Sequence, residues 1–207
     1  MDLFKAAVER VYLPQKALKS LQAAKNLPGR PLPVLGEASN GYPTQALARA
    51  INVHCGKLHY KSDHMNGLQD TYNPPQHTQY QLESGNWGNY VCDCDDYAGL
   101  AASLFHKAGV DLDKAWEWNI LVPLHLQLWQ ARWNHTLCGF SYHDGNKEWT
   151  GVIDTNTAGR GELFWFEGNA QQAEKAVIQK FKSIYPADYY TLAKGIWPEM
   201  CYHNTLI

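Results

Sequence analysis

The chain has 207 residues, of which 45% are hydrophobic, 13% aromatic and 18% charged. A chain of this length folds as one large domain, or one domain with a small addition, without needing disulfides or metals to hold it together. The 18 basic and 20 acidic residues give a net charge of −2. No basic stripe with interleaved aromatics is present, so we expect no nucleic-acid partner.

Membrane insertion and export are not predicted either. The chain has no run of about 18 uninterrupted apolar residues, and its first residues lack the apolar stretch of a signal peptide. Five cysteines are an odd number, which argues against a disulfide framework. We therefore expect a cytoplasmic, reducing setting, with a bacteriophage or exported origin left open.

The first half of the chain is predicted to be mainly helical. Apolar periodicity predicts helices within residues 1–26, interrupted at Pro14, followed by a Pro/Gly-rich connector. A short helix is predicted over residues 43–53, and the polar stretch 62–80 is predicted to be loop. A longer helix is predicted from Cys94 to Ala108, where Gly109 ends it.

The second half is predicted to be mainly β. Strands are predicted at His135–Tyr142 and Lys147–Asp154, joined by the turn sequence His-Asp-Gly-Asn, with a third at Gly161–Phe166. An amphipathic helix follows at Asn169–Tyr185. Helices followed by an antiparallel sheet predict an α+β fold. We divide the chain into an N-terminal helical segment and connector, a core, and a C-terminal helix and tail packed on that core: 1–42, 43–168 and 169–207.

Cys94 is a candidate nucleophile because a turn-rich loop ends at it and a long apolar helix begins there. The free N–H groups and the positive dipole end of a helix favour a thiolate and can hold a developing oxyanion. Asp95 and Asp96 oppose the thiolate, so a nearby histidine has to supply the activating positive charge. Cys92 lies in the loop and lacks this position. A buried, inert Cys94 is the alternative interpretation.

His135 and Asp154 are candidate partners because they lie about ten residues on either side of the predicted hairpin turn. An antiparallel hairpin brings such positions side by side at its open end, where a carboxylate can orient an imidazole. If the sheet packs on the helix of Cys94, a nucleophile, a base and an orienting group can meet. Each residue alone has a structural explanation, but the three in this order favour catalysis.

The order of these three residues resembles the transglutaminase-like superfamily of papain-type cysteine enzymes. The run Cys94-Asp95-Asp96-Tyr97-Ala98 is similar to the C-x-D-Y-A motif of the bacterial transglutaminase-like cysteine proteinase branch. The resemblance covers roughly residues 50 to 157. The sequence departs from the family pattern at Cys92, before the usual aspartate, and at Asn134, where the family commonly has glycine.

The resemblance implies a papain-like fold in which a nucleophile-bearing helix packs on an antiparallel sheet. It implies acyl transfer on a protein or peptide amide, with Cys94 as nucleophile, His135 as base and Asp154 as orienting group. Some relatives require calcium, but no acidic loop in this sequence indicates a calcium site, and we expect no cofactor. Water as acceptor gives a protease or amidase, and an amine gives a transglutaminase. The side-chain donor of the oxyanion hole stays open among Gln81, Trp87 and Asn89.

Two other functions remain open at this point. Cys92 and Cys94 together with His135 and Cys138 offer four zinc-type ligands, although C-x-C is an unusual spacing for zinc. Alternatively, the fold is catalytically silent and binds a peptide or glycan through aromatic residues, namely Trp116, Trp118, Trp129 and Trp133. A plain aromatic core is the simpler interpretation of those tryptophans.

Overall fold

The computed structural model describes residues 27–61, 73–85, 92–123, 131–154, 162–182 and 191–195. The helices predicted within residues 1–26 lie outside these ranges. The described helices are α1 Gln45–Cys55, α2 Pro75–Ser84, α3 Cys94–Lys107 and α4 Ala170–Lys182. The described strands are β1 Ala115–Pro123, β2 Ala131–His143, β3 Glu148–Asp154, β4 Glu162–Glu167 and β5 Thr191–Gly195.

The five strands form one antiparallel sheet in the order β4-β3-β2-β1-β5. Helix α3 packs against β1, β2 and β3, and helices α1 and α2 pack against α3. Helix α4 contacts β2, β4 and β5. The predicted α+β architecture is confirmed. Within the described part of the chain, every helix is too short or too polar to cross a bilayer.

Side-chain alternation along the strands divides the apolar interior into two clusters. The first lies between the sheet and α3 and includes Cys138, Phe140 and Ile153. The second lies on the other face beside α4 and includes Leu137, Val152 and two tryptophans, Trp116 and Trp118. These two tryptophans belong to the core, as the simpler interpretation predicts, and are therefore not available to line a groove.

The β2–β3 hairpin has the predicted turn. The ladder runs from His143↔Glu148 to Cys138↔Ile153. Asp144 Oδ1 accepts from the backbone N–H groups of Asn146 and Lys147 at 2.9 and 2.8 Å, and Gly145 has a φ of +96°. A short carboxylate that bonds the backbone and a glycine at positive φ are what a tight hairpin turn requires.

The prediction that residues 62–80 are loop was wrong for their last part, because helix α2 starts at Pro75. A proline at the first helical position has the right φ and no N–H to lose, and Gly85 ends the helix in the left-handed conformation. Several polar side chains on its buried face make hydrogen bonds, among them His77 Nδ1 to the carbonyl of Pro28 at 2.8 Å. This helix is therefore stabilised by polar tertiary contacts that leave no apolar periodicity in the sequence.

Candidate active site

Cys94 is the first residue of α3, and the turn around it is fixed by reciprocal hydrogen bonds. The N-cap residue Asp93 accepts from the backbone N–H of Asp95 at 3.4 Å, and Asp96 Oδ2 accepts from the backbone N–H of Asp93 at 3.3 Å. This capping box saturates donors of the first turn and suits the positive end of the helix dipole. The Cys94 side chain is half-buried.

His135 and Asp154 form a buried pair. His135 Nε2 lies 2.8 Å from Asp154 Oδ1, and the two residues are 1% and 0% exposed. The last ladder pair is Cys138↔Ile153, so Asp154 is offset diagonally by two positions from His135 on the same face. A diagonal pair of this kind lies within reach of a long side chain, which explains the contact.

The sheet topology sets the position of this pair along α3. The chain leaves the C-terminal end of α3 and enters β1, which runs back along the helix. The helix is about 20 Å long at 1.5 Å per residue, and six strand residues cover about the same distance. His135 is paired with Ile120, the sixth residue of β1. Along the helix axis, His135 is therefore about level with Cys94, and alternation along β2 places its side chain on the face of Leu137.

Cys92 differs from Cys94 in environment. It forms an isolated bridge with Lys61, with N–O distances of 2.8 and 3.1 Å, and is fully buried. Burial raises the pKa of its thiol well above the usual value, and the charges of Asp96, Asp93 and Asp95 raise it further. A thiol that resists ionisation is a poor nucleophile, so Cys92 is poorly suited to that role.

The zinc alternative receives no support from the geometry. Among the residues that the structure describes, one group of three or more ligand-type side chains converges, and it consists of Asp93, Asp95 and Asp96. Its ligand atoms lie within 4.8 Å of one another, but Asp93 and Asp96 accept the backbone hydrogen bonds of the helix cap. The four proposed zinc ligands, Cys92, Cys94, His135 and Cys138, do not converge.

Of the three candidates for the oxyanion donor, Gln81 is the one that the structure describes, because Trp87 and Asn89 lie outside the described residues. One N–H of its side-chain amide is engaged by a neighbouring residue. His77 Nδ1 has to donate to the carbonyl of Pro28, so in the neutral ring Nε2 is an acceptor, 3.4 Å from Gln81 Nε2. Gln81 is therefore part of the polar packing of α2.

The sequence analysis missed one contact at the site. Asp96 Oδ1 accepts from the backbone N–H of Asn73 at 2.6 Å, and Oδ2 accepts from Asn73 Nδ2 at 2.9 Å. The spacing of two acidic residues, Asp93 and Asp96, signals a capping box, but nothing in the spacing indicates a partner 23 positions away.

Among known proteins, similarity to this chain is found in solved structures. No protein-family model and no curated protein sequence matches the chain. Among solved structures, calcium-bound LapG from Legionella pneumophila is similar, with 17% sequence identity over 74% of this chain and 84% of that chain and a TM-score of 0.38.

Proposed function

We propose that the protein catalyses cysteine-dependent acyl transfer, with hydrolysis of a peptide or other amide bond as the reaction. Cys94 is the nucleophile, His135 the general base and Asp154 the group that orients His135. The observation that carries the proposal is the buried 2.8 Å contact between His135 Nε2 and Asp154 Oδ1, on a strand against which the helix of Cys94 packs. The order of Cys94, His135 and Asp154 along the chain, and their chemistry, are those of a nucleophile, a base and an orienting group.

In the proposed mechanism, the two ring nitrogens of His135 have separate tasks. The Asp154 carboxylate is a hydrogen-bond acceptor, so Nε2 carries a proton and donates a hydrogen bond to it. In the neutral ring, Nδ1 then has no proton and is the base. Nδ1 takes the proton of Cys94 Sγ, and the thiolate attacks the carbonyl carbon. The oxyanion forms near the backbone N–H of Cys94 at the helix N-terminus. Collapse of this intermediate breaks the C–N bond, and the imidazolium protonates the departing amine.

The second half of the reaction uses the same groups. Neutral His135 accepts a proton from water, and the resulting hydroxide attacks the thioester carbonyl. The thioester breaks to release a carboxylic acid, and the proton returns from the imidazolium to the Cys94 thiolate. A primary amine in place of water gives transamidation with the same proton transfers.

Electrostatics at the helix start make the imidazolium necessary. The helix dipole favours a thiolate at Cys94. The carboxylates of Asp93, Asp95 and Asp96, which raise the pKa of nearby Cys92, act in the opposite direction. A neighbouring positive charge therefore decides whether Cys94 ionises near neutral pH, and we assign that charge to His135.

The test is the rate of Cys94 alkylation by iodoacetamide between about pH 4 and pH 9, followed by peptide mapping. The full-length protein is compared with its His135→Ala and His135→Gln variants. We expect rapid labelling of Cys94 below pH 7 and a loss of about tenfold or more at pH 6 in both variants, because an ordinary thiol with a pKa near 8.5 is almost fully protonated there. The Gln variant is the matched control, since its amide can still donate to Asp154.

Buried Cys55, Cys92 and Cys138 serve as internal controls and should label slowly in the folded protein. The proposal is contradicted if Cys94 labelling in the native protein follows an ordinary thiol pKa and is insensitive to both substitutions. That result would make His135 and Asp154 a structural pair of the sheet. Protection of Cys94 that a chelator relieves would instead indicate a metal site.

A further inference from the structure

The side chain of Asp96, close to Cys94 in the chain, is heavily engaged. It is 0% exposed and accepts three hydrogen bonds: from the backbone N–H and side-chain amide of Asn73 and from the backbone N–H of Asp93. A buried carboxylate is costly unless hydrogen bonds compensate its charge. The three N–H donors provide that compensation.

Helix capping alone does not account for this arrangement. The bond from the N–H of Asp93 to Asp96 Oδ2 completes the capping box, and an aspartate or glutamate on the surface could make it equally well. The two bonds to Asn73 are additional and bring in a second segment of the chain. Asn73 immediately precedes Pro74 and Pro75, where α2 begins.

One carboxylate therefore joins the start of α2 to the start of α3. Cys94 lies between Asp93, whose backbone N–H is held by Asp96, and Asp96 itself. Tyr97 anchors the next position, because its hydroxyl donates to the carbonyl of Leu58 at 2.6 Å. Two groups outside α3, Asn73 and the carbonyl of Leu58, thus hold the residues that follow Cys94, and Asp96 connects them to the backbone of Asp93.

We propose that Asp96 is a positioning residue, which through its bonds to Asn73 and to the Asp93 backbone sets the location of the Cys94 thiol and N–H relative to His135. This inference rests on the proposed function. A displacement of about 1 Å at a reacting group can reduce its reactivity by about a hundredfold, so a bridge of this kind is sufficient to control reactivity.

Charge and position predict opposite effects of Asp96→Asn, which makes the inference testable. Removing a negative charge near Cys94 by itself stabilises the thiolate and increases alkylation below pH 7. Losing the bridge has the reverse effect, because an asparagine amide has one acceptor oxygen, and its N–H₂ would face the donors of Asn73 or Asp93. We expect iodoacetamide labelling of Cys94 at pH 6 to fall about tenfold in Asp96→Asn.

Three further variants distinguish a positioning role of Asp96 from a general effect on the stability of the fold. The double variant Asn73→Asp/Asp96→Asn restores an amide–carboxylate contact with the partners exchanged, and we expect it to recover part of the lost rate. Asn73→Ala removes one side-chain donor and leaves the backbone bond, so a smaller loss in the same direction is expected. Asp144→Asn disrupts another carboxylate–backbone turn, at the far end of the hairpin, and should leave the pH profile unchanged.

The labelling results distinguish a failure of the positioning role from a failure of the proposed function. If the native protein shows no fast labelling of Cys94 below pH 7, the proposed function fails. If the native protein does show fast labelling, and Cys94 of folded Asp96→Asn is labelled at the native rate or faster, Asp96 acts by charge or stability alone. The positioning role is then overturned. Near-ultraviolet circular dichroism shows which variants fold. If Asp96→Asn does not fold, the labelling rate of Cys94 in Asn73→Ala decides the question in the same way.

Discussion

The residue that determines what His135 can do is Asp154. Both side chains are removed from solvent, so the imidazole N–H has no water to replace the carboxylate as its acceptor. A buried donor that loses its acceptor costs more free energy than the bond itself contributes, typically about 1–3 kcal/mol. In the proposed mechanism, the same bond holds the ring in the tautomer whose Nδ1 is the base. Stability and reactivity therefore depend on one contact.

Substitution at Asp154 separates these two effects. Asp154→Ala should lower the free energy of unfolding by about 1–3 kcal/mol and slow Cys94 alkylation at pH 6. Asp154→Asn keeps an oxygen that can accept from Nε2, so it should cost less stability, while the lost negative charge no longer supports an imidazolium. Urea denaturation and the alkylation assay measure the two effects. Equal losses of stability in both variants would show that the negative charge of the carboxylate, and not an acceptor oxygen alone, stabilises the pair.

At the scale of elements, the parts nearest the candidate site were predictable. The start of α3 is marked by Asp93 and by a long apolar helix pattern, and the hairpin is marked by Asp144-Gly145. Local signals of this kind depend on neighbouring residues and survive in any fold. They account for the predicted ends of β2 and β3, on which the meeting of His135 and Asp154 depends.

The elements that the sequence did not reveal are held by distant partners. Strand β1 begins Ala-Trp-Glu-Trp, and Glu117, which would be outward in a simple alternating strand, is fully buried. Strand β5 is five residues long and exists as a partner of β1. Helix α2 has polar residues on its buried face. Tertiary context decides the conformation of all three, which propensity alone does not predict.

Two glycines adapt the sheet to its aromatic core. A Cβ atom on Gly139 would lie 2.6 Å from Trp116 Nε1, and one on Gly151 would overlap the ring of Phe140. The rings therefore lie directly against the backbone of β2 and β3, one in each apolar cluster. Side chains at these positions would push the rings off the sheet.

This packing predicts the effect of a single methyl group. Gly151→Ala should lower the free energy of unfolding by about 1–3 kcal/mol, as overpacking a dense core does. The double variant Gly151→Ala/Phe140→Leu should lose less than the sum of the two single substitutions, because the smaller side chain makes room for the methyl group. Urea denaturation of the four proteins measures the coupling. Additive losses would show that the ring does not obstruct the added methyl group.

At the scale of the whole molecule, the buried thiols link stability to alkaline pH. Burial raises the pKa of Cys55 from 9.0 to about 12, and it raises the pKa of Cys92 and Cys138 well above 9.0. Each folded-state pKa exceeds the unfolded one, so the stabilisation is complete below pH 9 and is lost as the pH rises toward the folded value. Above pH 9 the unfolded chain releases protons that the folded chain retains.

The prediction concerns the difference in the free energy of unfolding between the native protein and Cys55→Ala, measured under reducing conditions. Near neutral pH the variant is the less stable one, since it has lost buried volume. Between pH 9 and pH 11 the deficit should shrink by about 1.4 kcal/mol per pH unit, because the variant has one thiol fewer to ionise on unfolding. The comparison removes the contributions of lysines and tyrosines common to both proteins. A deficit that is constant with pH would contradict a raised pKa at Cys55.

The order of strands also has a consequence for synthesis of the protein. Strand β1 is complete at residue 123, but its outer partner β5 ends at residue 195. At about 5–20 residues per second the ribosome needs roughly 4–14 s to add the intervening chain. During that interval β1 is an open edge, and unpaired edges recruit strands from other molecules. The nascent chain therefore passes through an aggregation-prone stage, and chaperone binding during translation would protect it until the last strand closes the sheet.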